Sequence, residues 1–257
     1  MSTFSADERE RYARHILLRE IGGPGQQRLK RASVALVGAG GLGAPAALYL
    51  AAAGVGRIRL IDDDAVSLSN LQRQVLYRGE DVGALKVSRG AEALGALNPN
   101  VAIDPCKERL TEANAEALLS GMDLVLDGCD SFATRFAVNA ACHRLGIALI
   151  SGAVGRWDGQ LATFKSGPTK HLPADERLPC YRCFVSEEPP GGETCAEAGV
   201  VGALTGVIGA MMALEAIKEI AQAGESLAGR LVLYDGLSAQ SRIVKLPRDP
   251  ACPVCGG

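Results

Sequence analysis

The chain has 257 residues, 47% hydrophobic and 4% aromatic, with a formal net charge of -2 and a pI near 6.0. That length makes one large domain or two small ones, with enough apolar content for a substantial core. The charge balance argues against a nucleic-acid binder with a basic face, and the scarcity of aromatics argues against a base-stacking surface.

The first residues, Met1 to Glu8, lack a basic segment followed by an apolar one, so a cytoplasmic location is expected and a secretory signal is not. Residues 7–30 read as helical and charged, with Tyr12, Ile16 and Leu17 on one side and Gly22-Gly23-Pro24-Gly25 as a break. From 33 to 151 strand-like runs (34–38, 58–62, 101–104, 123–127, 147–151) alternate with helix-like runs (42–53, 83–97, 111–120, 132–145). Short apolar strands alternating with helices predict a Rossmann-like α/β fold, a mostly parallel sheet flanked by helices on both faces. Pro45 fits only the first turn of its helix, where a missing N–H costs little.

The pattern changes after 151. A strand at 160–165, polar stretches at 166–179 and 185–197, a helix over 200–221 and a terminal strand pair at 230–234 and 242–246 predict mixed or antiparallel strands with long loops. The longest uncharged run, Ala198 to Leu214, is shorter than the roughly 20 residues of a membrane span and predicts a buried helix, so no membrane partner is expected. The whole, 1–257, is expected to form one domain: an N-terminal helical segment (1–32), a nucleotide-binding half (33–151) and a second half (152–257).

The loop Gly38-Ala39-Gly40-Gly41-Leu42-Gly43 closes the run Val34–Val37, with Gly38, Gly40 and Gly43 at GxGxxG spacing. Glycine permits the tight turn and lets backbone N–H groups approach phosphate at a helix N-terminus. The other reading is a tight turn with no ligand. A P-loop is not expected, because Ala44-Pro45 stands where Lys-Ser/Thr would be. Asp62 ends the next apolar run and is placed to accept both ribose hydroxyls. For Asp63 and Asp64, turn or capping chemistry is as good a reading. Asn70 either holds its turn or bonds phosphate. Arg73 and Lys86 are candidates for triphosphate contacts, although a single surface cation is more often merely solvated. Asp130 follows the run Leu124–Asp127, where ligands of open α/β sheets bind. It suits Mg²⁺, the N-cap of the helix beginning near Phe132, or both. Two cations and a late Asp exceed what a dinucleotide requires and suit ATP with Mg²⁺.

Of eight cysteines, Cys180-Tyr-Arg-Cys183 and Cys252-Pro-Val-Cys255 form two CxxC pairs. Two such knuckles complete a four-thiolate Zn²⁺ site of structural type, a zinc knuckle pair joining the tail to residues 180–183. Redox dithiols are the alternative, without a thioredoxin-like context. Cys129 reads as a packed small residue. Cys195, in Glu193-Thr-Cys-Ala-Glu197, is either a covalent-link thiol or an ordinary loop residue. Trp157 and Gln160 read equally as packing or as part of a binding face.

The order GAGGLG, LIDDD, SLSNLQRQ, Lys86, LDGCD, CYRC, TCAEAGV, CPVC resembles the ThiF/MoeB/HesA family over nearly the whole chain, from Arg11 to Cys255. The resemblance implies ATP-dependent adenylation of the C-terminal glycine of a small ubiquitin-like sulfur carrier ending in Gly-Gly. The setting it implies is molybdopterin- or thiamine-type sulfur transfer, with a carrier-binding role for the second half. It implies an ATP site lined by Gly41, Asp62, Asn70, Arg73, Lys86 and Asp130, and draws Asp64, Ser69, Gln72 and Ser131 into the same set. Ser131 stands where many relatives carry Asn. It also implies a homodimer in which Arg14 reaches the other subunit's site, and a Cys195 that one relative uses covalently and others do not need. An NAD-dependent oxidoreductase and a non-catalytic zinc scaffold are the alternatives. The first should lack Asn70, Arg73 and Lys86 and carry an acid–base His, yet His15, His143 and His171 sit in no such motif. The second has no use for Arg73, Lys86 and Asp130.

Overall fold

A computed structural model describes residues 4–188 and 199–256. Eight strands form one sheet in the order β3-β2-β1-β4-β5-β6-β7-β8. The strands β1 (Ser33–Val37), β2 (Arg57–Ile61), β3 (Ala102–Cys106), β4 (Leu124–Asp127) and the first half of β5 (Ala148–Gly155) are parallel. The far side of β5 pairs antiparallel with β6 (Asp158–Phe164), which pairs with β7 (Arg230–Asp235), which pairs with β8 (Gln240–Lys245). This is the Rossmann-like sheet with an antiparallel extension that the sequence predicts.

The buried strands send alternate residues to two cores, as period-2 geometry requires. Val34, Leu36, Ile58, Leu60, Leu126 and Ile150 pack on one face against α4 (Gly43–Ala53), α5 (Lys86–Leu97) and α10 (Gly202–Ala221). Ala35, Val37, Ile61, Val125 and Leu149 pack on the other against α6 (Ala115–Leu119) and α7 (Phe132–Leu145). In α4 the buried face includes Ala44, Ala46, Ala47, Leu50 and Ala51, mostly small side chains that let the helix lie close to the sheet. Pro45 stands in its first turn, as expected.

The N-terminal segment differs from expectation. It forms three helices, α1 (Ala6–Arg11), α2 (Ala13–Ile16) and α3 (Gly22–Arg31), so the chain breaks at 17–21 and the Gly-Gly-Pro-Gly run opens α3 instead of interrupting a helix. Gly22, at φ +58°, makes the sharp entry, and Pro24 sits in the first turn, where its missing N–H has no helical partner to lose. Two more short helices break up the expected loops. α8 (Ser166–Thr169) lies at the start of the first polar stretch, and α9 (Tyr181–Phe184) lies between the two. No described helix is long and apolar enough to cross a membrane.

Candidate active site

Parallel strands all end on one side, and the chain order reverses between β1 and β4, so the loops after β1, β2, β3 and β4 converge there. The cleft between them is lined by Gly38, Gly40, Gly41, Asp62, Asp64, Arg73, Lys86, Asp130 and Ser131, among others. Arg73 and Asp130 are far apart along the chain, and the fold places both around one opening.

The Gly loop is held by backbone and by its neighbours. Gly38 has φ +87°, and a Cβ there would lie 3.2 Å from the backbone of Cys129, so the first loop and the turn after β4 touch directly. Gly43 does not line the cleft. A Cβ there would fall 1.8 Å from the Gly38 carbonyl oxygen, so this glycine serves the packing of α4 against the loop. Tyr77 Oη donates to the Ala39 carbonyl at 2.8 Å.

Asp62 ties the loop to the end of β2. Its Oδ2 accepts the Ala39 N–H at 2.8 Å and its Oδ1 accepts the Asp64 N–H at 2.9 Å. Burial raises its pKa, opposed by Lys86 and by those two backbone N–H groups. Lys86 opens α5, and its buried ammonium lies 2.7 Å from Asp64 Oδ2 and 4.0 Å from Asp62 Oδ1. Asp64 thus orients a cation. The carboxylates of Asp62, Asp63 and Asp64 cluster closely enough to hold a metal, but Lys86 already meets two of them.

The segment 67–74 divides its residues between outward and inward roles. Asn70 Oδ1 accepts the Ser67 N–H at 3.3 Å, so its side chain holds the turn, and Ser69 Oγ pairs with Ser67 Oγ at 3.0 Å. Neither they nor Gln72 line the cleft. Gln72 packs against the start of α10, where a Cβ on Gly202 would come within 2.2 Å of its carbonyl oxygen. Arg73 does line the cleft, with its guanidinium 3.1 Å from the Ser69 carbonyl. So does the buried Gln74, which sequence reasoning misses. The first turn of α10 closes this side. Thr205 Oγ1 donates to the Gly202 carbonyl at 2.7 Å, and a Cβ at Gly41 would lie 3.1 Å from Thr205, tighter than an ordinary contact.

Asp130 is exposed at the mouth of the cleft. The N-cap of α7 is Ser131, whose Oγ accepts the Thr134 N–H at 3.5 Å. The capping role considered for Asp130 therefore belongs to its neighbour, and the carboxylate is left to the cleft. Beneath it, Arg135 is buried and bonds to the Cys129 carbonyl, to the Gly152 carbonyl at 3.0 Å and to Ser151 Oγ at 3.1 Å, beside Asp127 Oδ2 at 3.4 Å. Cys129 Sγ lies 2.7 Å from Asp127 Oδ1, and burial pushes its thiol well up, so it packs as a neutral group. Glu108, Arg109 and Leu110, after β3, also line the cleft, and their place beyond a parallel strand's carboxyl end is the signal by which sequence could find them. Arg14 is exposed on α2 and does not line this cleft. Cys195 lies outside the described residues.

Outside the cleft, Cys180, Cys183, Cys252 and Cys255 bring their sulfurs within 4.8 Å of one another. Cys180 and Cys252 are 3.5 Å apart and Cys183 and Cys255 3.4 Å, close to the roughly 3.8 Å edge of a tetrahedron with 2.3 Å metal–sulfur bonds. None is in a disulfide. Arg248 donates to the Cys255 carbonyl at 2.6 Å through Nη2, placing a cation beside a cluster that becomes anionic when it holds a divalent metal. The donor set and spacing fit a closed four-thiolate site.

The fold and cleft define a Rossmann-like α/β protein with an opening at its parallel strand ends and a separate cysteine centre. Residues 12–254 match the ThiF family, and the chain belongs to that family. It is 49% identical over 98% of its length to a sulfur carrier protein adenylyltransferase of Thermus thermophilus, covering 93% of that protein. It is 44% identical to a molybdopterin-synthase adenylyltransferase of Escherichia coli, over 100% of both chains. It is 42% identical to a SAMP-activating enzyme E1 of Haloferax volcanii, covering 99% of this chain and 91% of the relative. Among solved structures, E. coli MccB with MccA-N7isoASN superposes with a TM-score of 0.82 at 22% identity, over 99% of this chain and 76% of that one, a likeness of fold.

Proposed function

We propose that this chain is a sulfur-carrier adenylyltransferase. It activates the C-terminal glycine of a ubiquitin-like carrier of the molybdopterin or thiamine type, using ATP, as a single domain in the cytoplasm. The observation that carries the reading is the meeting of the Gly loop, Arg73, Lys86 and Asp130 in one cleft. The relatives named for sulfur-carrier or molybdopterin-synthase adenylylation, 44–49% identical over nearly the whole chain, support it.

A carboxylate is a poor electrophile, and adenylation supplies the leaving group it lacks. A carboxylate oxygen of the carrier's terminal glycine attacks the α-phosphorus. The bond from that phosphorus to the oxygen bridging the β-phosphate breaks, and pyrophosphate departs with the electron pair. No general base is needed, because a terminal carboxylate is already ionised at neutral pH. Two anions must approach, so the task is positioning and charge neutralisation. Asp62 suits the ribose hydroxyls; its carboxylate already bridges the Gly loop and residue 64. Gly38, Gly40 and Gly41 leave the backbone of the loop open to phosphate. Lys86 and Arg73 supply positive charge at the phosphates. Mg²⁺, when bound, would draw charge from the phosphates, and exposed Asp130 is the carboxylate that would hold it. Arg14, exposed and away from its own cleft, is read as entering the partner's cleft in a homodimer. Zn²⁺, if held by the four cysteines, would have no open position and would serve structure. Cys195 is not required by this step.

The deciding experiment is ATP–pyrophosphate exchange with purified candidate carriers ending in Gly-Gly. Exchange that depends on a carrier and stops when its last glycine is removed supports the reading; NAD binding without Mg·ATP binding overturns it.

A further inference from the structure

Resting on the adenylation reading of the cleft, we propose that Tyr181 and Arg135 are positioning residues that connect the four-cysteine centre to the turn bearing Asp130. Arg135 carries a buried charge, and a buried guanidinium must be paired and hydrogen-bonded. Its partners lie on β5, where Nη1 meets Ser151 Oγ at 3.1 Å and Nη2 the Gly152 carbonyl at 3.0 Å, and around the turn after β4. Nη2 bonds the carbonyl of Cys129, the peptide unit leading into Asp130, and Nη1 lies 3.4 Å from Asp127 Oδ2. Asp127, fully buried, in turn takes the Cys129 N–H at 3.1 Å and the Ser151 hydroxyl at 3.0 Å. The direction of Asp130 is therefore set by where the guanidinium sits.

Tyr181 also lies against the guanidinium. The guanidinium carbon is 6.0 Å from that ring's centroid, and the void they share with Phe164 and Phe184 is about 10 Å³, the lower limit for a single water. The ring is held by Phe164 at 5.7 Å, Phe136 at 6.0 Å and Phe184 at 6.3 Å. Its backbone belongs to α9, which follows Cys180 directly and contains Cys183, so the first cysteine pair brackets Tyr181 in the chain. A four-residue helix has no stability of its own. It is anchored by the cysteines on one side and by packing on α7 on the other. There the Tyr181 N–H donates to Asn139 Oδ1 at 2.8 Å, and the Arg182 guanidinium lies 4.3 Å from the Phe136 ring centroid.

Releasing the sulfurs leaves 180–184 held by its packing alone, lets the ring shift on Arg135 and loosens the Cys129–Asp130 peptide, although none of the four cysteines lines the cleft. The test uses full-length Tyr181→Leu and Tyr181→Phe, with zinc measured by elemental analysis, Mg·ATP affinity by calorimetry and amide hydrogen exchange read at 128–131. Tyr181→Leu is expected to keep its zinc, bind Mg·ATP about five- to tenfold more weakly and exchange faster at 128–131, while Tyr181→Phe, which keeps the ring, stays close to wild type. Zinc retained with wild-type affinity and wild-type protection at 128–131 in Tyr181→Leu overturns the proposal. If Tyr181→Leu does not fold, wild type stripped of zinc by a chelator and still folded takes its place, and unchanged protection at 128–131 overturns it. If wild type binds no Mg·ATP, the adenylation reading fails, but zinc content and hydrogen exchange still decide the coupling.

Discussion

The parallel and antiparallel halves of the sheet use the same kind of strand for different ends. β1 and β4 each bury four consecutive residues, and their ends, with those of β2 and β3, deliver loops to one side. β8 is exposed at all six positions, and β6, β7 and β8 end alternately on opposite sides. Convergent loops build a cleft; alternating ones are divided between two sides and leave a face and a tether instead. Asp62, Arg73, Lys86 and Asp130 therefore belong to the parallel half, and the cysteine centre to the half whose chain returns need fastening.

If the parallel half alone carries the chemistry, the largest effects belong to Asp130→Ala and Arg73→Ala. Each should reduce ATP–pyrophosphate exchange by about 10²–10³, the range for removing one preorganised electrostatic contact, while circular dichroism stays that of wild type. Asp130 is exposed and the Arg73 guanidinium meets a carbonyl of its own turn, so neither ties separate elements together. Near-normal exchange in both variants would break the assignment.

Cys252→Ser probes the other half. It should lose the metal and lower Tm by about 5–10 °C, the scale expected for a few kcal/mol in a domain of this size. Pyrophosphate exchange at low temperature should persist with weaker nucleotide affinity, because Arg135 and Tyr181 join the two halves. An unchanged melting curve, or well under one zinc per chain in wild type, would remove the structural-metal claim.

Two glycines sharpen the contrast. Gly43→Ala must push a Cβ into the Gly38 carbonyl, and overpacking of this kind costs about 1–3 kcal/mol and shifts the loop. A Cβ at Gly155, on the antiparallel part of β5, meets nothing within 4 Å, so Gly155→Ala should be neutral. Urea melts and Mg·ATP calorimetry on both variants check this; equal effects would mean that the loop is not held as described.

Much of this division is legible in the sequence. Apolar runs broken by helix-like stretches place the parallel strands to within a residue or two at their starts, and the Gly loop, Asp62 and Asp130 mark the cleft because each follows a strand whose end converges with the others. What is hidden depends on partners distant in the chain. Arg135 looks like a solvated helix cation until Asp127 and Ser151 are brought beside it. Gln72 and Gln74 differ only by which way a short turn faces, and nothing local distinguishes them. Composition reads the Gly-Gly-Pro-Gly run as a break, although the φ of Gly22 and the position of Pro24 suit a helix start.

The smallest expected effect concerns Asp62. Burial raises its pKa in the folded protein, so the charged form is held at a cost that the Lys86 ammonium and two backbone N–H groups only partly offset. A carboxylate whose folded pKa lies above its unfolded value gives relative stability that is fully present below the unfolded pKa and is lost as pH rises through the folded one. Acidification from neutral pH should therefore favour wild type over Asp62→Asn, which has no proton to take up at this site. Urea melts of the two proteins at a series of pH values check the sign: the stability difference should move toward wild type as pH falls through the carboxylate range. Movement the other way would mean that the loop N–H groups and Lys86 outweigh burial, and that Asp62 is held charged more firmly than its surroundings imply.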